Sequence, residues 1–183
     1  MSSIERDLDA LVASVKSVAP TENAGKQIKQ LIAAFVEDPK AVQSQIRDFE
    51  EHDTVLFEDD SVSIWHCRFM PGVSVPPHDH QLETVIGVYR GEERNDFYIR
   101  KSGDEIEKKN LQNVSAGQVL HLGPTAIHSV SCIGDVPCCG IHVYLGNLTN
   151  IDRNLFDVET KRAMPFTNEN YYRLIDRLSN CEE

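Results

Sequence analysis

The amino-acid sequence predicts a mainly β protein, a barrel or sandwich of short strands opened by helices and closed by one more. Three observations carry this. Over the first fifty residues the apolar side chains recur at helical spacing. From Thr54 to about Leu148 they alternate instead, with many β-branched residues and a Gly, Pro or Asp at short intervals. Helical character then returns between Asn168 and Leu178. A run of short strands at this spacing suits a closed or two-layered sheet.

The N-terminal elements follow from their caps and stripes. Ser2 stands three residues before Glu5 as a capping box, and Leu8, Leu11, Val12, Val15 and Val18 continue the pattern until Pro20. Asn23 is placed to cap a second helix carrying Ile28, Leu31, Ile32 and Phe35. Asp38-Pro39 reads as N-cap and first turn of a third. Strands are expected near 54–58, 61–69, 73–77, 80–90, 94–101, 105–113, 117–122, 126–133 and 138–146. No linker or repeat divides the chain. It reads as one domain over 1–183: a helical segment at 1–50, a barrel at 54–148 and a C-terminal segment at 149–183.

Composition narrows the function classes. The 183 residues carry a net charge of −11, which disfavours a nucleic-acid partner. No apolar run approaches the roughly 20 residues of a membrane-spanning helix, so no membrane role is expected. The N-terminus MSSIERDLDALV lacks the basic and apolar parts of a secretory signal, which points to the cytoplasm. Cys67, Cys132, Cys138, Cys139 and Cys181 are odd in number and contain no CxxC, so reduced thiols are expected rather than a disulfide framework. A monomer or homodimer is expected.

Chemistry concentrates in the histidines. In Gly72-Val-Ser-Val-Pro-Pro-His78-Asp-His80 two histidines stand two residues apart, and on a strand such residues share a face. Alone, an HxH is as often a pair of polar residues on a solvated strand. A third imidazole follows 48 residues later, where Gly117-Gln-Val-Leu-His-Leu-Gly123-Pro-Thr-Ala-Ile-His128 reads as strand, turn and strand. His121, between two leucines, is the rival third ligand or a core histidine. Glu83 has the wrong strand parity to join His78 and His80 unless a bulge intervenes. Gly140, His142 and Tyr144 share one face of a later strand, so an imidazole could orient the phenol.

The spacings G-x5-HxH and G-x5-G-x4-H resemble the two motifs of the cupins. The resemblance implies a double-stranded β-helix barrel (jelly roll) with N-terminal helices and a short C-terminal helix, and a metal held by His78, His80 and His128. Adding Val85-Ile-Gly-Val-Tyr-Arg-Gly-Glu92 and His142-Val-Tyr-Leu-Gly-Asn147, about half the chain is similar to the thiol dioxygenases, which include cysteine dioxygenase and the bacterial 3-mercaptopropionate dioxygenases. That similarity implies Fe(II) on three histidines, a small thiol substrate with O2, a sulfinic acid product, and His142 and Tyr144 beside the metal. Arg153, nine residues after Tyr144, matches the bacterial branch's carboxylate-binding Arg, and Arg68 is a second candidate for that role.

Two departures from the family stand out. Gly140 takes the place of a Ser in the Ser-x-His-x-Tyr stripe. Thr84 or its neighbour stands where animal cysteine dioxygenases have a Cys, so no Cys–Tyr crosslink is expected. Three alternatives stay open: a cupin dioxygenase acting on a non-thiol substrate, an isomerase using Glu83, and a non-catalytic small-ligand-binding cupin.

Overall fold

The computed structural model describes residues 7–180, with side chains described as far as Ile175. The Ser2–Glu5 pair and Cys181 lie outside the described residues. Helix α1 spans Leu8–Val18, α2 Ala24–Val36 and α3 Pro39–Gln45. Asp7 caps α1 by accepting from the Asp9 amide. Asp38 caps α3 by accepting from the Ala41 amide, with Pro39 in the first turn. Asn23 occupies the N-cap of α2 but makes no side-chain capping bond.

Nine strands cover the region expected to be β: β1 Asp53–Glu58, β2 Ser63–Phe69, β3 Ser74–Asp79, β4 Thr84–Arg90, β5 Glu92–Arg100, β6 Ile106–Ser115, β7 Val119–Leu122, β8 Ile127–Ile133 and β9 Cys138–Tyr144. Two short strands that the sequence did not suggest, β10 Asn154–Asp157 and β11 Arg162–Pro165, form a hairpin before helix α4 at Asn168–Asn180. No helix among the described residues is long and apolar enough to cross a membrane.

The pairings show how the chain is wound. β5 pairs with β6, β4 with β7, β3 with β8 and β2 with β9, all antiparallel. The two halves of the β region thus run alongside each other as one long ribbon. Coiling the ribbon then brings β9 against β4 and β8 against β5. Two sheets result, ordered β1-β2-β9-β4-β7 and β11-β10-β3-β8-β5-β6. This is a double-stranded β-helix of the cupin type, mainly β, with N-terminal helices and a short C-terminal helix.

Strand parity sorts the apolar residues into two cores. Cys67, Phe69, Ile86, Val88, Leu120, Val130 and Cys138 fill the space between the sheets. Val85, Tyr89, Ile141 and Val143 turn outward, where Ile28, Ile32 and Val36 of α2 cover them. The helix lies so close to β4 that a Cβ at Gly87 would come within 2.2 Å of Ile32 Cγ2. With the outer face of this sheet sealed, polar side chains on its inner face open only toward the interior.

Candidate metal centre and its cavity

His78 reaches the interior through a bulge. Val75 pairs with Val130 and His78 with His128, so β3 spends one more residue than β8 over the same step. Pro76 and Pro77 fill the irregular stretch, where the ladder loses nothing by their missing N–H groups. His80 lies just beyond the end of β3, before a turn in which Gln81 has φ 56°. The expected strand from residue 80 therefore begins only at Thr84. His128 enters from β8, directly opposite His78.

Nitrogen atoms of His78, His80 and His128 all lie within 4.8 Å of one another, and all three residues are buried. Their tautomers follow from their partners. His78 Nδ1 lies 2.9 Å from the carbonyl oxygen of Pro76, which can only accept. His80 Nδ1 lies 3.3 Å from Thr84 Oγ1, whose own hydrogen is donated to the Leu82 carbonyl. His128 Nδ1 lies 2.7 Å from Asn95 Oδ1. Each ring therefore carries its hydrogen on Nδ1 and keeps a bare Nε2 lone pair. His78 and His80 Nε2 face each other at 3.0 Å, and His128 Nε2 is buried with no partner among the described residues.

Three bare imidazole nitrogens, each oriented by a bond to its other nitrogen, fit a divalent transition metal. Burial holds the rings neutral, as ligands must be. It lowers His78 to about 4, and holds His80 and His128 well below the usual histidine value with help from neighbouring rings.

Glu83 and His121 stand elsewhere. His121 Nε2 lies 2.7 Å from Glu83 Oε1, forming a partly exposed hydrogen-bonded pair rather than ligands or a core histidine. Parity explains it: Leu120 and Leu122 point inward, so His121 points out, and the Glu83 carboxylate packs against Gly25 of α2. Arg68 likewise lies between the inward Cys67 and Phe69 and donates to the Glu50 carbonyl. It is not among the residues lining the cavity.

The centre opens onto a cavity of about 500 Å³. His142 and Tyr144 line it, with Tyr144 Oη 3.4 Å from His142 Nδ1. His142 Nε2 is buried without a partner among the described residues. Were the phenol the donor, Nε2 would carry a buried, unsatisfied N–H. The less costly arrangement has Nδ1–H donating to the phenol oxygen, which frees the phenol O–H for the cavity. Burial keeps both groups uncharged: it lowers His142 to about 3 and raises Tyr144 well above the usual phenol value.

Arg153 also lines the cavity, its guanidinium 3.8 Å from the centre of the Phe166 ring. Asp79, the middle residue of the HxH motif, puts it there. The Asp79 carboxylate accepts from the Asn154 amide at 2.8 Å and from Asn154 Nδ2 at 3.1 Å. That pins the start of β10 beside His78, where Leu155 pairs with it. Arg153 makes no ion pair with any described residue.

Several lining residues escaped sequence reasoning. Asp53, at the start of β1, opens onto the cavity with His52 Nδ1 at 3.0 Å from its Oδ2. Burial works to raise its pKa, but bonds from His52 and Cys67 outweigh this and hold it below the usual carboxylate value. Tyr171, Tyr172 and Ile175 of α4 line the cavity as well. Behind His128, Asn95 Nδ2 donates to Glu93 Oε1 at 3.0 Å, and both residues are fully buried. Alternation along β5 was the available signal, since Glu93, Asn95 and Phe97 share one parity.

No family model matches the sequence. Solved structures resemble the fold. A double-stranded β-helix protein from Klebsiella pneumoniae is 17% identical, over 62% of this chain and 86% of that one, with a TM-score of 0.47. A cupin-family protein from Methanocaldococcus jannaschii is 13% identical, over 57% and 90%, with a TM-score of 0.47. A DMSP lyase from Ruegeria pomeroyi is 18% identical, over 53% and 44%, with a TM-score of 0.42.

Proposed function

We propose that this chain is a non-heme iron dioxygenase that converts a small thiol and O2 into the corresponding sulfinic acid. The observation that carries the reading is the convergence of three buried imidazole nitrogens on a cavity that the Tyr144 phenol and the Arg153 guanidinium also line. His78, His80 and His128 would hold the ion. With no carboxylate among the three, the centre keeps its full positive charge, which favours a thiolate over a neutral ligand. When bound, ferrous iron would supply open positions for thiolate and O2 and a redox-active path by which the four electrons lost by sulfur reach O2.

The remaining work falls to the chain. Arg153 offers a planar fork for a carboxylate or similar anion, set against the Phe166 ring. Tyr144, oriented by His142, directs its O–H at the reacting atoms and steadies negative charge developing there. Val75, Val130, Trp65 and Phe69 line the cavity and limit water around the thiol. The Glu83–His121 pair withholds the carboxylate that an isomerase reading would require at the centre.

The test is to load the protein anaerobically with Fe(II), add cysteine, 3-mercaptopropionate, cysteamine or mercaptosuccinate, admit O2, and measure oxygen uptake and sulfinate. One O2 consumed per sulfinate formed is the expected result. Tight iron binding without thiol-dependent uptake would redirect the reading to a non-thiol substrate of the same centre. Rejection of Fe(II) and other divalent metals would favour a non-catalytic ligand-binding barrel.

A further inference from the structure

We infer that Glu93 is a positioning residue that locks the tautomer of His128, acting through the Asn95 amide. Its purpose rests on the metal-centre reading; its geometry does not. Glu93 lies on the inward face of β5, paired with Cys132 of β8 and Val114 of β6, and is wholly buried. Burying a carboxyl group is costly, and an apolar residue would fill the place at less expense. Burial pushes it up to about 7. Glu93 Oε2 has no partner among the described residues, while Oε1 accepts from Asn95 Nδ2 at 3.0 Å.

That single bond decides what His128 can do. A carboxamide has an acceptor end and a donor end of nearly the same shape, so a half-turn exchanges them. In the arrangement seen, Asn95 Oδ1 faces His128 Nδ1 at 2.7 Å. The ring must then carry its hydrogen on Nδ1, leaving Nε2 bare toward His78 and His80. With the amide turned, the NH2 group would face Nδ1, the hydrogen would move to Nε2, and it would occupy the place of a metal bond. An ionised Glu93 forbids the turned amide, because two acceptors would then face each other. No other described group holds the Asn95 NH2.

The experiment uses the full-length, metal-free protein at pH 8, where Glu93 is ionised, with 15N-labelled histidine. Long-range proton–nitrogen correlation spectra report which ring nitrogen of His128 carries the hydrogen. The wild type is expected to show Nδ1–H alone. E93Q keeps the shape of the side chain but can donate or accept, so the spectrum should show both tautomers. Affinity for Co(II), by competition with a chelator, should fall by about 10- to 100-fold. The double variant E93Q/N95D should recover both properties, because an aspartate at 95 only accepts and its orientation needs no lock.

Nε2–H on His128 in the wild type would overturn the inference without any variant. So would an E93Q protein with unchanged tautomer and affinity, or an E93Q/N95D protein no better than E93Q, since a merely space-filling Glu93 would not be rescued from position 95. A wild type that shows the expected tautomer but takes up no divalent metal would uphold the lock and sink the metal centre instead.

Discussion

The Nε2 atoms of His78 and His80 lie 3.0 Å apart, although the partners of both rings place their hydrogens on Nδ1. Two lone pairs facing each other at that distance repel. A cation between them turns the repulsion into two bonds, and nitrogens on perpendicular bonds of about 2.1 Å stand about 3.0 Å apart. Metal is therefore expected to stabilise the protein, by about 2.7 kcal/mol when free metal is about 100 times its Kd. Thermal unfolding with and without Fe(II), Co(II) or Zn(II) measures this. H78A and H128A should abolish the stabilisation, whereas H121A should leave it intact.

The metal-free protein is expected to lose stability in mild acid. Burial lowers His66 and His78 to about 4 and His142 to about 3, and holds His80 and His128 well below 6.5. Above pH 6.5 these rings are neutral whether the chain is folded or not, and they contribute no pH dependence. As the pH falls from 6.5 toward 4, the unfolded chain takes up protons that the folded chain refuses. Each such ring then removes up to about 1.4 kcal/mol per pH unit. Urea unfolding at pH 7, 6 and 5 should show the decline, and H142N should reduce its slope by one proton.

The three histidines that converge were legible in the sequence because they sit where local rules speak: an HxH, and a histidine after a Gly-Pro turn. Arg68 and His121 stood as site candidates, and the structure turns both outward: the parity of Cys67 and Phe69, and of Leu120 and Leu122, was the signal that could have excluded them. The bulge at Pro76-Pro77 was less legible, because it depends on how β3 registers with β8. Asp53 and the β10–β11 hairpin were out of reach. Asp53 enters the cavity only once β1 has joined β2, and the hairpin's strands are four residues each, held partly by Asp79 far earlier in the chain. The residue pattern alone gave a sandwich or barrel and the winding came with the cupin resemblance, whereas the seat of each charge in the cavity follows from contacts between distant segments.

Among the described residues lining the cavity, Arg153 is a cation without an ion pair, and Asp53 is a carboxylate held below its ordinary pKa, with Glu51 beside it at the rim. The two are near enough for Asp53 to act on the Arg153 charge. Their substitution is expected to separate thiols by charge. R153Q should raise KM for 3-mercaptopropionate and cysteine by about 10- to 100-fold, the worth of a charged hydrogen bond, and spare cysteamine. D53N should weaken the two thiols that carry an ammonium group and spare 3-mercaptopropionate. Steady-state oxygen uptake with the three substrates measures both, and equal losses across all three would deny these residues a role in selection.

Gly140 offers a test of the stripe it shares with His142 and Tyr144. A Cβ built there lies 3.4 Å from His142 Nε2, the nitrogen that lacks a partner, and 3.0 Å from the Gly87 carbonyl oxygen. Any side chain at 140 therefore crowds the β4 backbone, and a short one with a hydroxyl can offset part of the cost by bonding the imidazole. G140A is expected to be less stable than the wild type. G140S should be more stable than G140A by about 1 kcal/mol, the net worth of one hydrogen bond. Denaturant unfolding of the two variants isolates that bond, because they share the crowding and differ by one oxygen. The hydroxyl should also donate to Nε2, which fixes the hydrogen of His142 on Nδ1 and the phenol O–H of Tyr144 toward the cavity. Equal stabilities would place the hydroxyl out of reach of the ring and leave the orientation of Tyr144 to His142 alone.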